Sequence, residues 1–130
     1  MAAFDQRQWF DDYIDALNRD DLARVAPFYA PDLNMTDGAV EHGSAAAVMG
    51  FHRQWQGRVR RTLALLGYVD RPGRIAAEIS TVLEALCDVP DFPEAPLAAG
   101  ERRAMVSFVI CDIADGRFTR IRAAPCKATP

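Results

Sequence analysis

A chain of 130 residues, half hydrophobic and a quarter charged with both signs interspersed, has the length and composition of one globular domain around a single core. The formal charge of -3 and a pI near 5.3 argue against a surface built to neutralise phosphates or anionic lipid, so neither nucleic acid nor a membrane is expected as a partner. No segment approaches the ~20 apolar residues of a membrane span. The start, MAAFDQRQWFDD, is acidic and polar where a secretory leader needs a basic start and an apolar run; Cys87, Cys111 and Cys126 are odd in number and lack CxxC spacing. A cytoplasmic protein with reduced thiols is expected.

Asp5 with Gln8 has the form of a capping box, and Trp9, Phe10, Tyr13, Ile14 and Leu17 recur at helical spacing, which predicts a helix over Gln6 to Asn18. Asp20 or Asp21 caps a shorter helix with an apolar face of Leu22, Val25, Ala26 and Tyr29, kinked by Pro27 and ended by Pro31. Short strands are expected at Leu33 to Thr36 and Ala39 to His42. Gly43-Ser44 opens a third helix to about Gln56, with Val48, Phe51, His52 and Trp55 on its inner face.

After Arg60 the period changes to alternation. Strands are predicted near Thr62 to Val69, Ile75 to Cys87, Arg102 to Ile113 and Phe118 to Ala124, with DRPGR and ADGR as hairpin turns. The connection from Asp88 to Gly100 carries Pro90, Pro93 and Pro96, so it reads as stiff, unpaired and able to overhang a pocket. Three helices followed by long antiparallel strands make an α+β domain, with the helices on one face of a curved sheet. Ile75, Ala77, Ile79, Thr81, Leu83 and Ala85 form the register facing the helices; Glu78, Ser80 and Glu84 face away. In the next strand both registers are apolar, with Met105, Val109, Cys111 and Ile113 on one side and Val106, Phe108 and Ile110 on the other. The second apolar face needs a cover, and a homodimer is the usual one.

Three stretches, YIDALNRDDLARVAPFYAPDLNMTDG, HGSAAAVMGFHRQWQG and DGRFTRIRAA, together resemble the nuclear transport factor 2-like superfamily over nearly the whole chain, and within it the SnoaL-like polyketide cyclases and the ketosteroid isomerases. The resemblance implies one cystatin-like domain over residues 1–130: a cone whose curved, mixed or antiparallel sheet wraps around the three N-terminal helices and leaves a deep apolar pocket. It also implies a small enzyme without cofactor or metal, doing isomerase, cyclase or dehydratase chemistry on a hydrophobic carbonyl compound. The alternative of the same fold is a non-catalytic dimeric binding protein, since this scaffold hosts both.

Carried over by position, the family's catalytic tyrosine falls on Tyr13 and its general base on Asp37 of NMTDG. The family's supporting tyrosines fall on Tyr29 and on the position of His52, where the histidine can orient Tyr13 or act as an acid-base group itself near neutral pH. Its second oxyanion acid falls on Val109, where no acid stands; the neighbouring registers, Phe108 and Ile110, are not acidic either. Tyr29, Trp55, Val109, Cys111, Ile121 and Ala123 are the expected substrate-binding residues of the pocket.

Abstraction of a proton beside a carbonyl needs a base within reach of the carbon acid and a donor aimed at the oxygen, roles that Asp37 and Tyr13 can fill. Each residue has a plainer reading. Asp37 before Gly38 is ordinary turn chemistry, Tyr13 is a core aromatic with a satisfied hydroxyl, and a lone His52 on an inner helix face is more often structural. His42 reads as structural, and two histidines ten residues apart without an acidic partner at ligand spacing argue against a metal site. Arg53, Arg58, Arg60 and Arg61 read as a solvated basic face at the end of the third helix, and Arg122 as outward-facing.

Overall fold

The computed structural model describes residues 4–38, 40–93 and 95–126. The first helix, α1 (Gln6–Asn18), begins where the Asp5 carboxylate accepts from the Gln8 backbone N–H at 3.0 Å. The Gln8 side chain turns forward to Asp12 instead of back to the cap, so only half of the expected box forms. Asp21 caps α2 (Leu22–Val25), and Pro27 sits in the following 3-10 turn, Ala26–Phe28, where a missing donor costs little.

Tyr29 leaves the helix and opens β1 (Tyr29–Asp37), a strand longer than the one expected at Leu33 to Thr36. Pro31 is tolerated because the pairing is irregular between Tyr29 and Asn34, so no ladder bond is lost there. A hairpin leads to β2 (Val40–His42); Ala39, expected as its first residue, lies outside the described residues. Ser44 Oγ accepts from Ala47 N–H at 3.1 Å and starts α3 (Ala45–Trp55).

Four longer strands follow: β3 (Val59–Arg71), β4 (Arg74–Ala85), β5 (Arg102–Ala114) and β6 (Arg117–Pro125). Both expected hairpin turns form. Gly73 has φ of 82°, as the third position of a Pro-Gly type II turn requires, and Asp115 and Gly116 both have positive φ, 53° and 70°, as a type I′ turn requires. The six strands make one open sheet in the order β2-β1-β6-β5-β4-β3. All neighbours are antiparallel except β1 and β6, which run parallel and make the sheet mixed.

The predicted inner register is the observed one: Ile75, Ala77, Ile79, Leu83 and Ala85 are buried, while Glu78, Ser80 and Glu84 lie on the other face. The helices cover the inner face unevenly, with α1 along β3 and α3 along β1. Between them Met35, Ser107, Val109 and Ala123 remain only half-buried. Phe118, fully buried, anchors the main core through ring contacts at 4.5 Å to Trp9 and 4.7 Å to Tyr13. On the outer face Leu66, Val69, Phe108 and Ile110 are exposed, and an apolar depression of about 360 Å³ lies against Val69, Ala76, Phe108 and Ile110.

The proline-rich connection differs from its expectation. Val89 and Leu97 exchange backbone hydrogen bonds of 2.8 and 3.0 Å, and both are buried. They join Trp55, Val59, Leu83 and Ala85 in a second apolar cluster, with Phe92 edge-on to Trp55 at 5.2 Å. Val89 and Leu97 flank the three exposed prolines and fold onto the sheet, so the prolines lie in the turn between the two buried residues. Arg103, in the inner register opposite Leu83, donates at 3.3 Å to the carbonyls of Ala95 and Pro96 and fastens the segment. Leu97→Ala should therefore destabilise the whole domain, by about 2 to 5 kcal/mol, rather than loosen a surface loop. Urea unfolding followed by tryptophan fluorescence and by far-ultraviolet circular dichroism checks this, the expected result being one shifted transition common to both signals.

Candidate active site

Tyr13 lies on the inward face of α1, one turn beyond Trp9 and Phe10. Tyr29 opens β1, and His52 lies on the buried face of α3 one turn after Val48. Three elements distant in sequence thus bring three polar side chains into the core. The Tyr13 and Tyr29 hydroxyls are 2.7 Å apart, Tyr29 Oη is 3.0 Å from His52 Nε2, and Arg61 Nη2 is 3.2 Å from His52 Nδ1. The result is one continuous hydrogen-bonded chain through α1, β1, α3 and β3. Tyr13, Tyr29 and His52 are each less than 10 % exposed, whereas Arg61 is half-buried and leads toward the surface.

Burial holds both phenols protonated. It raises the Tyr13 hydroxyl well above its usual range and pushes Tyr29 up to about 12. Burial also disfavours imidazolium, as do the positive charge of Arg61 and, less strongly, His42, which together bring His52 down to about 3. Cys111, 1 % exposed beneath the same cluster, is raised to about 12 by burial first and Asp112 second, so it is no nucleophile at neutral pH.

The other sequence-derived positions divide into three groups. Asp37 pairs with Ala123, which pairs with Val109, which pairs with Ala77, so these four occupy one row of the inner face. Asp37 is exposed at the end of that row, beside the half-buried Ala123 and Val109. One row further along, Ile121 and Cys111 are neighbours and buried. Trp55 is separate from both rows, packed in the second cluster under Val89, Leu97 and Phe92 with Arg58 over its ring at 5.2 Å. His42 packs tilted against Phe51, ring centres 5.0 Å apart.

Arg61 was not legible as part of this group. The expected solvated cluster holds for Arg58, paired with Asp91 at 2.7 Å, and for Arg60, paired with Glu84 at 3.4 Å. Arg61 points the other way. The signal was its phase: Arg61, Leu63 and Leu65 alternate with Arg60, Thr62 and Ala64, which puts the second arginine on the inner register.

No protein-family model matches the chain, and no curated protein matches it by sequence. Solved structures do. A "putative polyketide cyclase" from Pseudomonas putida KT2440 superposes with a TM-score of 0.80 at 18 % identity, covering 93 % of this chain and 91 % of that one. An epoxide hydrolase from M. tuberculosis, described as LEH-like, superposes at 0.75 with 17 % identity over 92 % of this chain and 80 % of that one. An NTF2-like protein of unknown function from Burkholderia pseudomallei K96243 gives 0.72 with 17 % identity over 90 % and 87 %. The fold is thus the nuclear transport factor 2-like fold, one shared by proteins with different chemistry.

The depressed His52 pKa makes a stability prediction. Between about pH 3 and 6.5 the unfolded chain binds a proton at this residue that the folded chain refuses, so stability contributed by the neutral imidazole is complete above 6.5 and declines as pH falls. Wild type should lose stability more steeply than His52→Gln across pH 6 to 4, by up to about 1.4 kcal/mol per pH unit. Urea midpoints measured for both proteins along that range give the difference in slope, which is independent of any constant destabilisation by the substitution.

Proposed function

We propose that the protein is a small enzyme that moves protons on a hydrophobic carbonyl compound, by isomerase, cyclase or dehydratase chemistry and without a cofactor. The observation that carries this reading is the buried chain from Tyr13 to His52. Three polar side chains have been placed in a core where aromatic or aliphatic ones would pack without desolvation, and they are connected so that each supports the next. In this reading Tyr13 donates to the substrate oxygen as charge develops, while Tyr29 and His52 hold it in position. Asp37 is the general base, at the open end of the row that passes Ala123 and Val109.

The substrate would lie along the half-buried strip of the inner face left between the two helices. Val109, Ala123, Ile121 and Cys111 would supply its apolar wall, with Trp55 bordering it from the second cluster. Val109 gives no second donor. Losing one oxyanion donor typically costs on the order of 100-fold to 1,000-fold in rate, so this site suits a substrate that spreads its own negative charge, such as an extended polyketide enolate, better than a steroid. The solved structure of the same fold named a "putative polyketide cyclase" is in keeping with that substrate class. The exposure of Asp37 favours the second reading, a binding protein in which Asp37 and Tyr13 only hydrogen-bond a ligand.

The two readings separate in one assay. Wild type, Tyr13→Phe and Asp37→Asn are compared on aromatic polyketide esters and on a Δ5-3-ketosteroid. The enzyme reading expects turnover of a polyketide ester that falls by ~100-fold or more in each variant, with steroid turnover slow or absent. Ligand binding without turnover in any of the three proteins establishes the binding-protein reading instead.

The exposed apolar strip of Leu66, Val69, Phe108 and Ile110 further supports a homodimer formed through the outer sheet face. Sedimentation at micromolar concentration should give a dimer. Phe108→Glu, which places like charges in a face-to-face contact, should give a folded monomer.

A further inference from the structure

We propose that Arg61 is a positioning residue: its contact with His52 Nδ1 fixes the direction of every hydrogen bond in the chain and leaves the Tyr13 hydrogen free to be donated outside it. The inference rests on the reading of Tyr13 as the group that donates to the substrate. A guanidinium has five N–H groups and no lone pair to offer, so at 3.2 Å from Arg61 Nη2 the His52 Nδ1 must accept. A neutral imidazole then carries its single hydrogen on Nε2, which donates across 3.0 Å to Tyr29. With its oxygen accepting from the imidazole, Tyr29 directs its own hydrogen across 2.7 Å to Tyr13. Tyr13 accepts, and its hydrogen is not consumed within the chain.

The opposite direction is closed. If Tyr13 donated to Tyr29 and Tyr29 to Nε2, the imidazole hydrogen would sit on Nδ1 and face the donors of Arg61. Protonating both nitrogens would set an imidazolium against a guanidinium in a site from which water is largely removed. The fold imposes this relation. Arg61 is held on the inner register of β3 by its pairing with Leu83, and His52 is held by α3, packed along β1. Without a cation at position 61, the imidazole can adopt either tautomer and the tyrosine pair either direction. In the reversed state Tyr13 spends its hydrogen on Tyr29 and presents only lone pairs to a substrate oxygen.

The test is nitrogen NMR of the ¹⁵N-histidine-labelled full chain. The titratable and charged groups around the His52 ring are Tyr29 on β1, His42 on β2 and Arg61 on β3, so the His42 signals are first assigned with His42→Gln. Wild-type His52 is expected to show a protonated Nε2, an unprotonated Nδ1 and no titration down to about pH 5. Arg61→Met should shift the tautomer ratio toward Nδ1–H or let the ring titrate at higher pH. Arg61→Lys, which retains a cationic donor, should restore the wild-type tautomer. An Nδ1–H tautomer in the wild type, or unchanged His52 signals in a folded Arg61→Met, overturns the proposal. In turnover, Arg61→Met should lower kcat with little change in KM, by no more than Tyr13→Phe does. Should the tautomer respond as expected while Tyr13→Phe leaves turnover unaffected, the directional role of Arg61 stands and the catalytic reading of Tyr13 fails.

Discussion

The Tyr29 hydroxyl is the point on which the inner structure depends. It sits between Tyr13 and His52, so one oxygen ties the first helix, the first strand and the third helix together. A lone phenol at 3 % exposure would leave an unsatisfied polar group in the core, worth about 1 to 3 kcal/mol against folding, and the same holds for each neighbour in the chain. Tyr29 relies on both neighbours, Tyr13 meets only Tyr29 within the chain, and His52 relies on Tyr29 and Arg61. Such mutual dependence gives the packing of α1 and α3 against the sheet a geometric specificity that Phe118 and its aromatic neighbours, which attract without direction, do not supply alone.

The chain also has polarity from inside to outside. Its deep end is made of phenols that burial keeps protonated, and its shallow end is a permanent cation at the margin of the sheet. Arg61 needs no buried carboxylate because its partner is a neutral acceptor and its own exposure is intermediate. The arrangement keeps a histidine uncharged at neutral pH through surroundings alone, and an uncharged histidine here can act as a fixed hydrogen-bond donor rather than as a proton exchanger.

The sheet distributes its coverage in a way that bears on function. Two helices shield its flanks, the segment from 88 to 100 closes one end over Trp55, and a half-buried strip of Met35, Ser107, Val109 and Ala123 stays accessible between them. Trp55 is itself incompletely satisfied, since its buried Nε1 has no hydrogen-bond partner among the described residues. That end of the sheet is therefore held by apolar packing and by Arg103, not by the polar chain, and the two halves of the inner face rest on different forces.

Periodicity, helix caps and turn residues determined the element order, the hairpin turns and the two faces of the long strands, because these depend on local backbone preferences and on which side chains water rejects. Ile75 through Ala85 could be assigned to a face by counting in twos, and α1 by counting in threes and fours. The family resemblance brought Tyr13, Tyr29, His52 and Asp37 forward together, and three of these do meet. What only the tertiary structure decided is who touches whom across long separations. Arg61 was indistinguishable by composition from Arg58 and Arg60, and its role depends on β3 presenting that one residue inward to a histidine nine positions earlier on a helix. By sequence the proline-rich segment reads as unpaired because proline lacks a donor, yet Val89 and Leu97 keep theirs, and their burial rests on an apolar surface built from distant strands. Hydrogen-bond direction follows the same rule: residue types restrict the donors available, and only their placement against one another fixes which atom gives.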